Sequence, residues 1–174
     1  MAAVRYLAAL GAALLLHLIG ARIHPDLPQA IDWFLPVLVL LALSGSSFAG
    51  IAGGLAAGLL QDGLTGGLYG LHGFADTLVG YATARLAQRL VIQRAVGVFA
   101  IASFASALQQ VILIALSLFL LPQASVPEPF WVVVRALSTG LVGMLIYSGS
   151  DRFRKAAESH RKQRLSRLRM DPQR

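Results

Sequence analysis

Apolar stretches of helical length alternate along this chain with short clusters of charge, proline or glycine. The first run goes from about Val4 to Ala21 and stops in Arg22-Ile-His-Pro-Asp-Leu-Pro-Gln-Ala-Ile-Asp32, whose two prolines cannot continue a helix. Trp33 opens a second run that reaches Leu43. Ser44 to Ser47 makes a weak turn, a glycine-rich run from Phe48 to Leu60 follows, and Gly63 to Gly67 breaks it. A fourth run covers Leu68 to Ala84 and a fifth Ala95 to Leu121. After a proline-rich link ending at Pro129, a sixth covers Phe130 to Ser148. The first run follows Arg5 and resembles the later ones in character, so it reads as a retained span and not as a cleaved leader.

Residues 33–62 suit either one tilted span or two short ones joined by a tight turn. Basic clusters decide between these, because Lys and Arg collect in cytoplasmic loops. Arg85, Arg89 and Arg94 form one cluster, and Arg152, Arg154 and Lys155 begin another. Two spans separate them, so both can lie inside. Placing Arg5 inside as well needs an even number of spans before Arg85, which two spans over 33–62 supply. The predicted fold is therefore all-α, a polytopic bundle of six transmembrane helices with both termini cytoplasmic. Each member of the short pair falls below the roughly twenty residues that cross a full bilayer, so burial against neighbours is expected there.

Composition agrees. Charged residues make up 13% of the chain, hydrophobic ones 56%, and mean hydropathy is +0.67. A water-facing surface typically needs about a quarter charged residues, so this surface suits lipid. From Asp151 onward nine basic residues face three acidic ones, which supplies +6 of the formal +7. The chain thus divides into a transmembrane domain, 1–150, and a basic cytoplasmic tail, 151–174. Such a tail sets topology and touches anionic lipid, and does not suggest nucleic acid. Phe153, Ala156, Ala157, Leu165, Leu168 and Met170 give it a patchy apolar stripe, as suits either a helix on the inner leaflet or a solvated anchor.

Gly50, Gly54 and Gly58 recur every four residues and share one helical face, with Asp62 one turn further on. In lipid such a face lets another backbone approach closely, whether a neighbour in the same bundle or a partner's helix. Asp62, His72, Asp76 and Arg135 fall at similar depth and form a candidate intramembrane polar cluster. Intramembrane carboxylates are costly, so Arg135 is expected to pair with Asp62 or Asp76. Asp62 could alternatively accept backbone N–H groups of the Gly63–Gly67 corner. Gln109 and Gln110, with Ser103 and Ser106 before them, should bond across helices. His17 reads as a hydrogen-bonded core residue. Cysteine is absent, which excludes disulfides and thiol chemistry. Only His72 and Asp76 have the i, i+4 spacing of metal ligands, one pair without further ligands nearby, so no metal is implied; no catalytic motif is present, and no cofactor is implied.

Gly-Leu-Leu-x-Asp-Gly-Leu at 58–64, Gly-Leu-Tyr-Gly-Leu-His-Gly at 67–73 and Leu-Val-Gly-Tyr at 78–81 resemble the MreD family of bacterial rod shape-determining membrane proteins. That family usually carries an amide near His72, where this chain has histidine. The resemblance implies a non-enzymatic subunit of the cell-elongation, peptidoglycan-synthesising complex (the elongasome) in the cytoplasmic (inner) membrane. It would scaffold an MreC-like membrane-anchored periplasmic protein, and through it the MreB filament and the RodA/penicillin-binding-protein synthase. The family is also similar in architecture to substrate-binding components of energy-coupling-factor transporters. That makes a small-molecule transporter component the alternative, with the polar cluster as its ligand site.

Overall fold

The computed structural model describes residues 2–44, 46–89, 94–121 and 127–169, with side chains placed within 4–153. Every regular element among them is helical: α1 (Ala2–Ile23), α2 (Leu27–Ala30), α3 (Phe34–Ala42), α4 (Ser47–Thr65), α5 (Leu71–Ala87), α6 (Ala95–Leu120) and α7 (Pro129–Arg169). Residues 33–62 do fold as two helices. The six longer helices correspond to the six apolar runs, and α2 is a single turn that the sequence reading left as loop. Pro28 lies in its first turn, where a missing N–H costs nothing.

The bundle buries carboxylates and amides within an apolar core and exposes large apolar side chains on its outer face. Along α7, Phe130, Val133, Leu137, Leu141 and Leu145 recur at three- and four-residue spacing and are all exposed. Val4, Leu7, Leu15, Ile19 and Ile23 of α1 are exposed as well. Asp32, Gln61, Asp62, Asp76, Gln109 and Thr139 are buried instead. Large exposed aliphatic side chains around buried carboxylates invert the water-soluble pattern and match a lipid surround. Val4–Ile23, Ala95–Leu120 and Pro129–Phe153 are each long and apolar enough to cross a membrane.

The remaining helices are packed between these. α3 has nine residues, roughly 14 Å at 1.5 Å per residue, and almost all of its side chains are buried. Phe34 sits with Leu10 and Ala13 of α1 on one side, while Leu35, Leu38 and Val39 join Val79 of α5 and Ala102 and Ala105 of α6 on the other. So α3 is a plug inside the bundle, and being shorter than the bilayer costs nothing because protein surrounds it. α4 follows after a tight reversal, with Ser46 Oγ accepting from the Ala49 N–H as its N-cap.

α4 and α5 make the closest contact. A Cβ at Gly50 would collide with the Gly80 carbonyl, one at Gly54 with the Asp76 carbonyl, and one at Gly58 with the His72 carbonyl. The row therefore runs antiparallel along α5 and is buried in the fold. It is an internal packing face, and a partner helix cannot occupy it. The chain reverses between α4 and α5 through Gly66 at φ +66° and Gly70 at φ +104°, the left-handed region that glycine enters without strain. The break thus falls at 66–70, a little later than the expected 63–67, because Asp62 and Gly63 stay in the helix. α7 continues unbroken past residue 150 to Arg169, while the side chains of the tail's apolar stripe beyond Phe153 lie outside the described residues.

Candidate functional site

Three buried carboxylates organise the polar interior, each held by different partners. Asp32 stands just ahead of α3. Its Oδ1 accepts the Phe34 N–H at 2.9 Å and the Leu35 N–H at 3.1 Å, which caps the short helix. Its Oδ2 accepts from Arg135 Nη2 of α7 at 2.7 Å and from Gln61 Nε2 of α4 at 3.3 Å. The Asp32 N–H donates to Thr139 Oγ1, and Ser138 Oγ donates to the Ala30 carbonyl. Arg135, Ser138 and Thr139 share one face of α7, so the segment from α2 to α3 is clamped along a single stripe.

Asp62 acts on the next helix in the chain. Its Oδ2 accepts the Gly70 N–H at 2.8 Å and the Gly73 N–H at 3.0 Å, and its Oδ1 the His72 N–H at 2.9 Å. These are first-turn donors of α5, which Gly70 at the N-cap has no side chain to satisfy. The carboxylate also meets the positive end of the α5 dipole. His72 Nδ1 lies 2.9 Å from Asp62 Oδ1, so histidine fits here as a further hydrogen-bond partner of the same oxygen. Asp62 does cap a backbone corner, but one formed by α5 and not by residues 63–67.

Asp76 lies midway along α5, fully buried, and accepts from Gln109 Nε2 of α6 at 2.6 Å. Gln110 donates to the Val132 carbonyl of α7 at 3.1 Å, so the adjacent amides tie α6 to both of its neighbours. Tyr6 of α1 donates to the Gly53 carbonyl at 2.7 Å, while His17 lies against the Phe34 ring, with centroids 5.7 Å apart.

Arg135 accordingly pairs with Asp32, and not with Asp62 or Asp76 as expected from depth. Position along a helix was legible in the sequence, but direction around it was not. Asp62 points at the α5 backbone and Asp76 at α6, while the α2–α3 segment folds inward to bring Asp32 to α7. Asp62, His72, Asp76 and Arg135 thus do not converge on one pocket. Asp32 and Gln61 were the missed members. An Asp two residues ahead of an apolar helix is a recognisable cap signal, which would have drawn Asp32 out of its loop. Among the described residues no three His, Cys, Asp or Glu side chains come together as a metal site would require.

The interior is thus built to hold helices together, with its paired motifs centred on the α4–α5 contact. A family model described as rod shape-determining protein MreD matches residues 4–147, nearly the whole helical bundle. The chain belongs to the MreD family. It is a membrane protein of the rod-shape-determining system, and that family is a structural one not known for enzymatic activity. No curated protein and no solved structure matches the chain. Of the basic residues expected to anchor topology in this MreD-family bundle, three flank the α5–α6 connection and three lie within α7. Arg85 is in the last turn of α5, Arg89 follows it, Arg94 immediately precedes α6, and Arg152 is exposed on α7. Arg154 and Lys155 continue α7, with side chains outside the described residues.

Proposed function

We propose that this protein is a non-enzymatic scaffold of the cell-elongation complex in the bacterial inner membrane, where it holds an MreC-like partner by helix contact within the bilayer. The family match over 4–147 carries this reading. Through that partner it serves the MreB filament and the RodA/penicillin-binding-protein synthase. Its termini are cytoplasmic, the side on which the tendency of Lys and Arg to collect in cytoplasmic loops puts Arg85, Arg89, Arg94 and the basic tail. Reporter fusions after Gln29 and after Gln123 then report the outside, and a cytoplasmic signal from either rejects that orientation.

With the Gly50/Gly54/Gly58 row closed by α5, the partner's spanning segment needs another small-residue face. α1 has one: Ala8, Gly11 and Ala12 are exposed, and a Cβ at Gly11 would meet nothing within 4 Å. Such a face permits close helix approach in lipid. Gly11→Leu should leave the bundle folded and reduce recovery of the MreC-like partner on co-purification. Undiminished recovery in a folded Gly11→Leu protein would place the contact on another face. Failure of the wild-type protein to co-purify with any such partner would reject the scaffold reading itself. The transporter alternative gains nothing from the interior geometry, because Asp62 with His72, Asp76 with Gln109 and Arg135 with Asp32 are three separate sets of contacts.

A further inference from the structure

An open cleft of about 450 Å³ lies between the C-terminal half of α6 and the start of α7, within the range of small-ligand sites. Gln110, Leu113 and Ile114 form its α6 wall, and Gln29 of α2 borders it. Glu128, Trp131 and Arg135 line the opposite side at spacings of three and four, one face of the helix start. The cleft therefore joins an apolar surface with two amides and carries charge of both signs on one side.

The charges are not equivalent. Arg135 gives one Nη2–H to Asp32, which balances its charge, yet a guanidinium has five N–H donors and its buried Nε finds no acceptor among the described residues. Glu128 is exposed and makes no ion pair among the described residues, so it leaves the cleft with a net negative charge. The occupant that complements this set needs an ammonium for Glu128, an anionic oxygen for the remaining donors of Arg135 and Gln29, and an apolar chain for Leu113, Ile114 and Trp131. A headgroup with a phosphate alone sets like charge against Glu128.

We propose that the cleft seats the headgroup of a zwitterionic phospholipid, with its ammonium on Glu128, its phosphate on Arg135 and the first carbons of its chains along Leu113, Ile114 and Trp131. Tryptophan is enriched at membrane–water interfaces, the level at which a headgroup sits. The inference does not depend on the scaffold reading, since any bundle with this cleft would hold the lipid.

Native mass spectrometry of the full-length protein, released from bilayers with equal phosphatidylethanolamine and phosphatidylglycerol, tests it. The wild type should retain phosphatidylethanolamine over phosphatidylglycerol by roughly threefold or more, as a partly exposed ion pair supports. Glu128→Gln, an exposed change that spares the fold, should bring the two lipids to parity. Leu113→Trp, which fills the wall, should lower retention of both. Free phosphoethanolamine should not displace the lipid, because it lacks the chain. Wild-type retention equal to the bilayer ratio, or a preference that survives Glu128→Gln, overturns the proposal. Displacement by free phosphoethanolamine assigns the cleft to a soluble zwitterion and overturns the lipid as its occupant.

Discussion

Arg135 of α7 and Asp32, more than a hundred positions apart in the chain, meet at 2.7 Å inside the bundle, the arginine only 16% exposed and the aspartate not at all. The pair joins the turn before the buried plug α3 to the long helix α7. Asp32 simultaneously caps α3, so one carboxylate fixes the start of a helix too short to anchor itself.

Removing one charge of this pair should be worse than removing both. Arg135→Met leaves Asp32 ionised and unpaired and is expected to cost about 3–5 kcal/mol. Adding Asp32→Asn removes that charge while its amide oxygen still caps α3. The double variant should therefore unfold at a higher temperature than Arg135→Met alone in detergent. Equal instability of the two would show that the charge is not what matters.

Asp62 should matter through backbone, with His72 contributing less. Asp62→Ala strips three first-turn N–H groups of α5 of their acceptor, at about 1–3 kcal/mol. His72→Asn removes one contact to an oxygen that keeps its backbone donor, so less than about 1 kcal/mol is expected. Thermal unfolding of the two variants side by side checks the order. A His72 variant as damaged as Asp62→Ala would contradict it.

Gln109 is the one donor to Asp76 among the described residues. Gln109→Leu should leave that buried carboxyl without a partner and cost about 1–3 kcal/mol. Asp76→Leu combined with Gln109→Leu replaces both groups by apolar ones and should recover most of the loss. Denaturation midpoints for the single and double variants decide the matter.

Two glycines give opposite expectations for the same small change. Gly54→Ala sets a methyl against the Asp76 carbonyl, part of a helix backbone that cannot swing aside, and should cost about 1–3 kcal/mol or more. Gly11→Ala meets open space and gains up to about 1 kcal/mol of helix propensity. If Gly54→Ala folds as stably as wild type, the α4–α5 contact is loose enough to admit a methyl group.

The six helices were legible in the sequence because apolar runs and their breaks are local properties. So was the division of residues 33–62, since the count of spans between basic clusters needs only the order of the chain. The spacing of Gly50, Gly54 and Gly58 likewise determined that they share a face and that something must approach closely. Which backbone fills that face was decided by tertiary structure, because spacing defines a stripe but not its neighbour. The same holds for the carboxylates. Sequence placed Asp62, Asp76 and Arg135 at one depth, but partner choice depends on rotation about each helix and on the inward fold of the α2–α3 segment. That fold brings Asp32 from an apparent outer loop into the core, where burial makes pairing obligatory and Arg135 is the cation within reach.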